Sequence, residues 1–295
     1  MTVRERERGE GDPGRGLAER ARPFRALYEH WERNQWSPLD LDLTTDAKSF
    51  AALDEADQEG LIWIFAHRFH AEFNVARLLA PFLLAAPDWE TQLLLATQTA
   101  DEHRHLQAVL RIYEEVFGVD GGIDSVRERA DRHLDPVAAT LYGKLEDHVA
   151  RLETDRHPDV FLKAVVVYHI LAEGVVASAA QNLAAGQYER FGSFPGLAQG
   201  QRLVARDEAR HIGFGVSYCR ARLAAEPERT RTVIGEVVDE FATVAAELLA
   251  TANDGLADIV RAGYGVDPAG FSAEAMRLLD LRLRAIGVVE GARQG

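Results

Sequence analysis

From about Asp46 onward, apolar residues recur three and four positions apart, with Ala, Leu, Glu and Arg filling the gaps between them. This period predicts helices over 46–86, 88–117, 136–155, 158–185, 197–224 and 227–263, and a shorter one near 272–285. Pro81 is expected to kink the first helix, and Pro87 to separate it from the second. The stretches Gly118–Gly122 (GVDGG) and Gly192–Gly196 (GSFPG) read as loops. The run Val165 to Tyr168 has local strand character, but its continuation is helical. No alternating strand pattern with hairpin turns occurs, so the expected fold is all-α.

The first twenty residues, MTVRERERGEGDPGRGLAER, carry five Arg and five acids with almost no apolar content. They read as a solvated, disordered arm, and neither a signal peptide nor a transit peptide fits them. Residues 21–295 are expected to form a single helical domain. The most apolar stretch, Ala164 to Ala180, holds His169 and Glu173 and reads as too short for a membrane span. A cytoplasmic location is therefore expected.

Charge and cysteine content narrow the classes. Thirty-three Lys+Arg against 47 Asp+Glu give a net charge of −14 in 295 residues. A nucleic-acid backbone binder needs clustered positive charge, and an anionic membrane surface attracts the same. Neither partner is expected. A single cysteine, Cys219, excludes an internal disulfide framework and a Cys-rich metal site.

One short motif occurs twice. Asp101 to His105 reads DEHRH and Asp207 to His211 reads DEARH, each within a predicted helix. Residues three apart on a helix project to one side, so each Glu-x-x-His offers a carboxylate and an imidazole to a common point. That donor pair suits iron or manganese. In ferritin-like bundles two such motifs join one Glu from each of two further helices. The sequence supplies both acids. Glu72 is the only acid between Leu61 and Pro87, and Glu173 the only one between Asp159 and Glu189. Glu-x-x-His pairs alone are common by chance. The duplicated motif and the isolated acids in apolar helices make the pattern a dimetal site rather than four coincidental carboxylates, and the remaining eight histidines are read as non-ligands.

Four carboxylates would balance two divalent ions, leaving open positions for O₂, the expected oxidant. The segments WERNQWSPLDLDLTTD, HAEFNV, TADEHRH, YHILAEG and ARDEARHIGFG resemble the ferritin-like superfamily that includes the ribonucleotide reductase small subunit. They are most similar to its relatives, the ligand-binding oxidases with a mixed manganese/iron centre and a long-chain fatty acid. The resemblance spans about Tyr28 to Tyr218. It implies one metal on Glu72, Glu102 and His105 and another on Glu173, Glu208 and His211. Mn/Fe is the implied pair, with Fe/Fe the alternative. It also implies an ether cross-link between Val75 and Tyr168, an electron route through Trp36 and Asp207, an external electron donor and a homodimer. Val75 lies one turn from Glu72. In an ideal helix His169 faces the metals better than Tyr168, so Tyr168 requires a π-type distortion. Val176, Ala177 and Ala180, one and two turns past Glu173, are candidates to line a fatty-acyl tunnel.

Two other readings stand beside the oxidase. A ribonucleotide reductase small subunit usually has a radical tyrosine where this chain has Val109, and aromatic residues in the tail where it has RLRAIGVVEGARQG. Related arylamine oxygenases add a histidine ligand where this chain has Val204. A non-catalytic ferritin-like metal or lipid binder is the third reading.

Overall fold

The computed structural model describes residues 24–289 apart from 135, 192, 251–257, 259 and 262; the N-terminal arm expected over 1–20 lies outside the described residues. The described residues are helical and contain no strand. In chain order the helices used below are α1 (Phe24–Arg33), α2 (Thr44–Ala52), α3 (Glu55–Ala85), α4 (Trp89–Glu115), α5 (Gly122–Asp131), α6 (Pro136–Ala150) and α7 (Pro158–Val165). A π-helical segment (Val166–Ala177) follows, then α8 (Ser178–Phe191), α9 (Pro195–Ala225), α10 (Pro227–Ala250) and α11 (Pro268–Ile286).

Several boundaries differ from the sequence reading. The helix expected over 46–86 is two helices, because the Asp54 side chain accepts the Asp57 N–H at 2.9 Å and starts a new helix there. Asp88 likewise begins α4 by accepting the Thr91 N–H at 2.7 Å. Helix α3 runs through Pro81 to Ala85 before it ends. Helices α1 and α5 were not expected from periodicity; each is only ten residues long, too short for a firm apolar repeat. The helix expected over 136–155 ends at Ala150 and finishes in a short 3₁₀ turn, Arg151–Glu153. The helix expected over 227–263 is described as α10 up to Ala250; 251–257, 259 and 262 lie outside the described residues, and the described ones from 258 to 263 are helical. The helix near 272–285 starts earlier, at Pro268.

Helices α7 and α8 and the π segment between them form one long rod. The helical stretch that contains Ala164–Ala180, Pro158–Tyr188, is longer than that segment and is long and apolar enough to cross a membrane by length and composition alone. Seventy-two per cent of its most apolar window is buried inside the protein, as befits a core helix. Ala164 to Ile170 are completely buried within it. The π segment packs against α9 and α11, while α3 packs along α4.

Two apolar clusters frame the interior. Along α3, Leu61 to Phe69 belong to one and Val75, Leu79 and Phe82 to the other; Glu72 falls between them. Along α4, Leu94 and Leu95 belong to the second cluster and Leu106 to Tyr113 to the first, with Glu102 and His105 at the changeover. Helix α9 repeats this, with Leu197 on one side and Ile212 and Phe214 on the other. The polar residues thus sit at a seam in the apolar core. Close approach of α9 to the π segment depends on Gly215, where an added Cβ would lie 2.5 Å from the Cβ of His169.

Candidate metal centre

Glu72 from α3, Glu102 and His105 from α4, Glu173 from the π segment, and Glu208 and His211 from α9 converge, all essentially buried. They make two groups whose ligand atoms lie within 4.8 Å of one another: Glu72, Glu102, His105 and Glu208, and Glu102, Glu173, Glu208 and His211. Glu102 and Glu208 belong to both. The sequence analysis assigned each to one metal; in the structure the α4 and α9 carboxylates meet in the middle of the bundle, within reach of both groups.

Each imidazole turns Nδ1 inward. His105 Nδ1 lies 3.5 Å from Glu72, 3.4 Å from Glu102 and 3.5 Å from Glu208. His211 Nδ1 lies 3.1 Å from Glu102, 3.5 Å from Glu208 and 3.7 Å from Glu173. The outer nitrogens are held by the aspartates of the repeat, crossed over. His105 Nε2 is 3.3 Å from Asp207, and His211 Nε2 is 3.3 Å from Asp101. A carboxylate on the outer nitrogen fixes the tautomer and leaves the inner lone pair free for a cation.

The donor set fits two cations. Nδ1 of His105 and of His211, and one oxygen each of Glu102, Glu173 and Glu208, are buried without a hydrogen-bond partner. Four carboxylates enclosed among apolar side chains need compensating charge. Without that charge, burial pushes the Glu72 carboxyl up to about 7. Burial, then the neighbouring Glu208 carboxylate, raises that of Glu173 well above its ordinary range. Glu102 moves the other way: burial opposes its charge, but the neighbouring imidazoles of His211 and His105 hold it ionised.

Several supporting residues escaped the sequence reading. Gln98, one turn before Glu102, donates to Glu173 Oε1 at 2.8 Å, and its own Oε1 lies 3.0 Å from Nε2 of His169. His169 is wholly buried against Phe82, Tyr168 and Phe214, and burial drives its pKa down to about 3. Its Nε2 is engaged by Gln98 and neither ligand group includes it, so it props the site from outside. Arg210, 1% exposed, donates to Asp101 and to Thr97. The duplicated Arg was the available signal, because a guanidinium inside an apolar helix needs a buried anion.

Trp36 Nε1 donates to Asp207 at 2.7 Å, and its ring stacks 6.3 Å from that of His105. Tyr168 is wholly buried and its hydroxyl donates to the backbone oxygen of Val75 at 3.3 Å. The π-helical backbone anticipated for Tyr168 is present, marked by the Ser178 N–H bonding five residues back to Glu173. Val176 is 38% exposed, and Ala177 and Ala180 are half-buried. A cavity of about 610 Å³ is lined by other residues, among them Phe24, Phe161, Tyr218, Arg156 and Arg222.

The sequence profile of the ribonucleotide reductase small chain matches residues 21–254, most of the chain. The chain belongs to the ribonucleotide reductase small-chain family. Members of this family are dimetal oxidoreductases, in keeping with the buried carboxylate and imidazole cluster. The fold is similar to solved structures of an R2-like ligand-binding oxidase, including a tyrosine-to-phenylalanine and a valine-to-leucine variant, each with an aerobically reconstituted Mn/Fe cofactor. Both superpose with a TM-score of 0.78 at 23% identity, over 91% of this chain and 94% of theirs. A valine-to-alanine variant with an anaerobically reconstituted Mn/Fe cofactor matches equally well. This likeness establishes the ferritin-like helical fold for the family member described here.

Proposed function

We propose that this family member is an O₂-activating dimetal oxidase using an Mn/Fe or Fe/Fe pair, with Glu72, Glu102, His105, Glu173, Glu208 and His211 as ligands. The observation that carries the reading is the sharing of Glu102 and Glu208 between two four-ligand groups, an arrangement that holds two ions side by side. When bound, such a pair supplies the electrons that reduce O₂. The protein's residues do the rest. Asp101 and Asp207 orient the imidazoles, and Gln98 restrains Glu173. Phe82, Phe214 and Tyr168, all buried, pack around His169 beside the ligands.

The ether cross-link is part of the proposal. Burial first, and then the surrounding glutamates, raise the Tyr168 pKa well above its ordinary value, so the phenol keeps its proton. Its oxygen already lies against the Val75 backbone. Joining Tyr168 Oη to Val75 Cβ removes one hydrogen from each residue, with O₂ as the two-electron oxidant. A long-chain fatty acid or similar ligand is proposed as well. The 610 Å³ cavity favours this, with Phe24, Leu84 and Phe161 in its wall and Arg156 at hand for a carboxylate. Its wall residue Phe161 touches Phe82, which touches Tyr168. A homodimer, a cytoplasmic location and an external electron donor complete the reading.

Aerobic loading with Fe(II) and Mn(II) tests it. Oxygen uptake and an intact mass lower by two hydrogens are expected, the mass change being absent in Tyr168→Phe. No uptake removes the oxidase reading; uptake with unchanged mass removes the cross-link alone. A radical-generating subunit is the second reading, favoured by the family match and by the Trp36–Asp207–His105 chain. Radical-dependent activation of a reductase large subunit would select it.

A further inference from the structure

The two repeats carry two outward relays. The first runs from His105 through Asp207 to Trp36. The second starts at His211, whose Nε2 lies 3.3 Å from Oδ2 of Asp101; Trp31 Nε1 donates to the other oxygen of the same carboxylate at 3.0 Å. The ring of Tyr28 stacks on Trp31 with centroids 6.0 Å apart, and its hydroxyl donates to Glu32. Asp101 is wholly buried, whereas Trp31, Tyr28 and Glu32 lie at the protein's edge. The second relay is thus a continuous path of rings and hydrogen bonds from surface to centre.

We propose that Tyr28 and Trp31 form a second electron entry, serving the ion held by Glu173, Glu208 and His211, while Trp36 serves its neighbour. The inference rests on the dimetal reading above. Its chemical argument is the outer end of the Trp31 branch. The Arg104 guanidinium lies 5.7 Å from the Trp36 ring centroid, where a positive charge disfavours loss of an electron from the indole. The same guanidinium also donates to Asp101 Oδ1, the oxygen that Trp31 Nε1 uses, so it stands between the two branches and lies over the ring of Trp36 alone. The Trp31 branch also ends on a phenol already bonded to a carboxylate, which can take the phenol proton as an electron leaves and return it afterwards. Each passage moves one electron. An external one-electron donor, such as an iron–sulfur protein, is oxidised; the ion is reduced from the trivalent to the divalent state. Trp31, Tyr28 and Glu32 end as they began.

The experiment uses metal-loaded, air-oxidised protein and a reduced [2Fe–2S] ferredoxin as probe, too large to enter the core. The rate at which the oxidised centre's visible absorption bleaches is measured alongside its midpoint potentials. Trp31→Phe is expected to slow one of two kinetic phases about tenfold, and Trp36→Phe the other, with potentials unchanged. Trp31→Tyr, which restores an oxidisable ring, should recover most of the rate. Because Phe also removes the Nε1–H bond to Asp101, a purely structural role would show as a shifted potential, which the unchanged potentials exclude. Wild-type rates in Trp31→Phe, or a slowing explained by a shifted potential, overturn the inference. If the wild-type protein binds no metal, the oxidase reading and this inference fall together; if it binds metal and Trp31→Phe behaves as wild type, only the inference falls.

Discussion

Asp207 of the second repeat lies 3.3 Å from Nε2 of His105 in the first, so each half of the centre is oriented by the other. Asp101 returns the relation to His211 at the same distance. Neither half of the duplicated motif completes its own site. The crossed pairing ties α4 to α9 and makes the two ion positions interdependent.

Removing an orienting aspartate should weaken metal binding while leaving all six ligands in place. Asp207→Ala is expected to lower affinity at the His105 position by about 10- to 100-fold. Competition with a chromophoric chelator reads the affinity directly. Unchanged affinity would show that Asp207 has no hold on the imidazole.

Sharing of the middle carboxylates predicts unequal losses. Glu208→Ala removes a donor from both groups and should abolish binding of both ions, whereas Glu72→Ala touches one group and should leave an ion at the other. Elemental analysis of purified variants distinguishes them. Equal metal content in the two variants would contradict the shared geometry.

The metal-free protein should lose stability as pH rises. Glu72 is raised from 4.5 to about 7 by burial, so the stability of its neutral form is complete below about 4.5 and gone once pH passes 7. His105 and His211 are raised too, burial opposing but nearby carboxylates prevailing, so their contributions also fade with rising pH; His169, lowered from 6.5 to about 3 by burial, opposes part of the trend below about 6.5. Chemical denaturation at pH 5.5 and 8 should differ by on the order of 1–3 kcal/mol, the lower pH being more stable. Metal-loaded protein should show the opposite trend, since its ligands must be deprotonated. A flat metal-free profile would defeat this prediction.

Gly215 and Gly143 make a matched pair. Gly215→Ala drives a methyl against His169 and should cost about 1–3 kcal/mol through overpacking. Gly143→Ala, in α6 with open space around it, should stabilise by about 0.5–1 kcal/mol. Thermal unfolding of the two variants would show shifts of opposite sign.

Much of the centre was legible because buried charge is conspicuous. Glu72 and Glu173 stand alone in apolar helices, and the DEHRH and DEARH repeats announce their own spacing. Gln98 and Trp31 gave no such signal: a glutamine one turn before a glutamate and a tryptophan in a short helix are ordinary in any sequence. Their roles come from partners 75 and 70 residues away. The split at Asp54 was missed because one N-cap outweighs a periodic pattern that continues on both sides of it.

The sequence by itself determined the helical class, the seam of polar residues in an apolar core and the six converging side chains, because helical periodicity and the cost of burying charge are local properties. Tertiary structure alone decided that Glu102 and Glu208 serve both groups, that each aspartate orients the opposite histidine, and that Tyr168 rather than His169 turns toward Val75. Those relations depend on the angle and depth at which α9 and the π segment meet α3 and α4. Packing across the whole bundle sets that meeting, and no stretch of sequence encodes it alone.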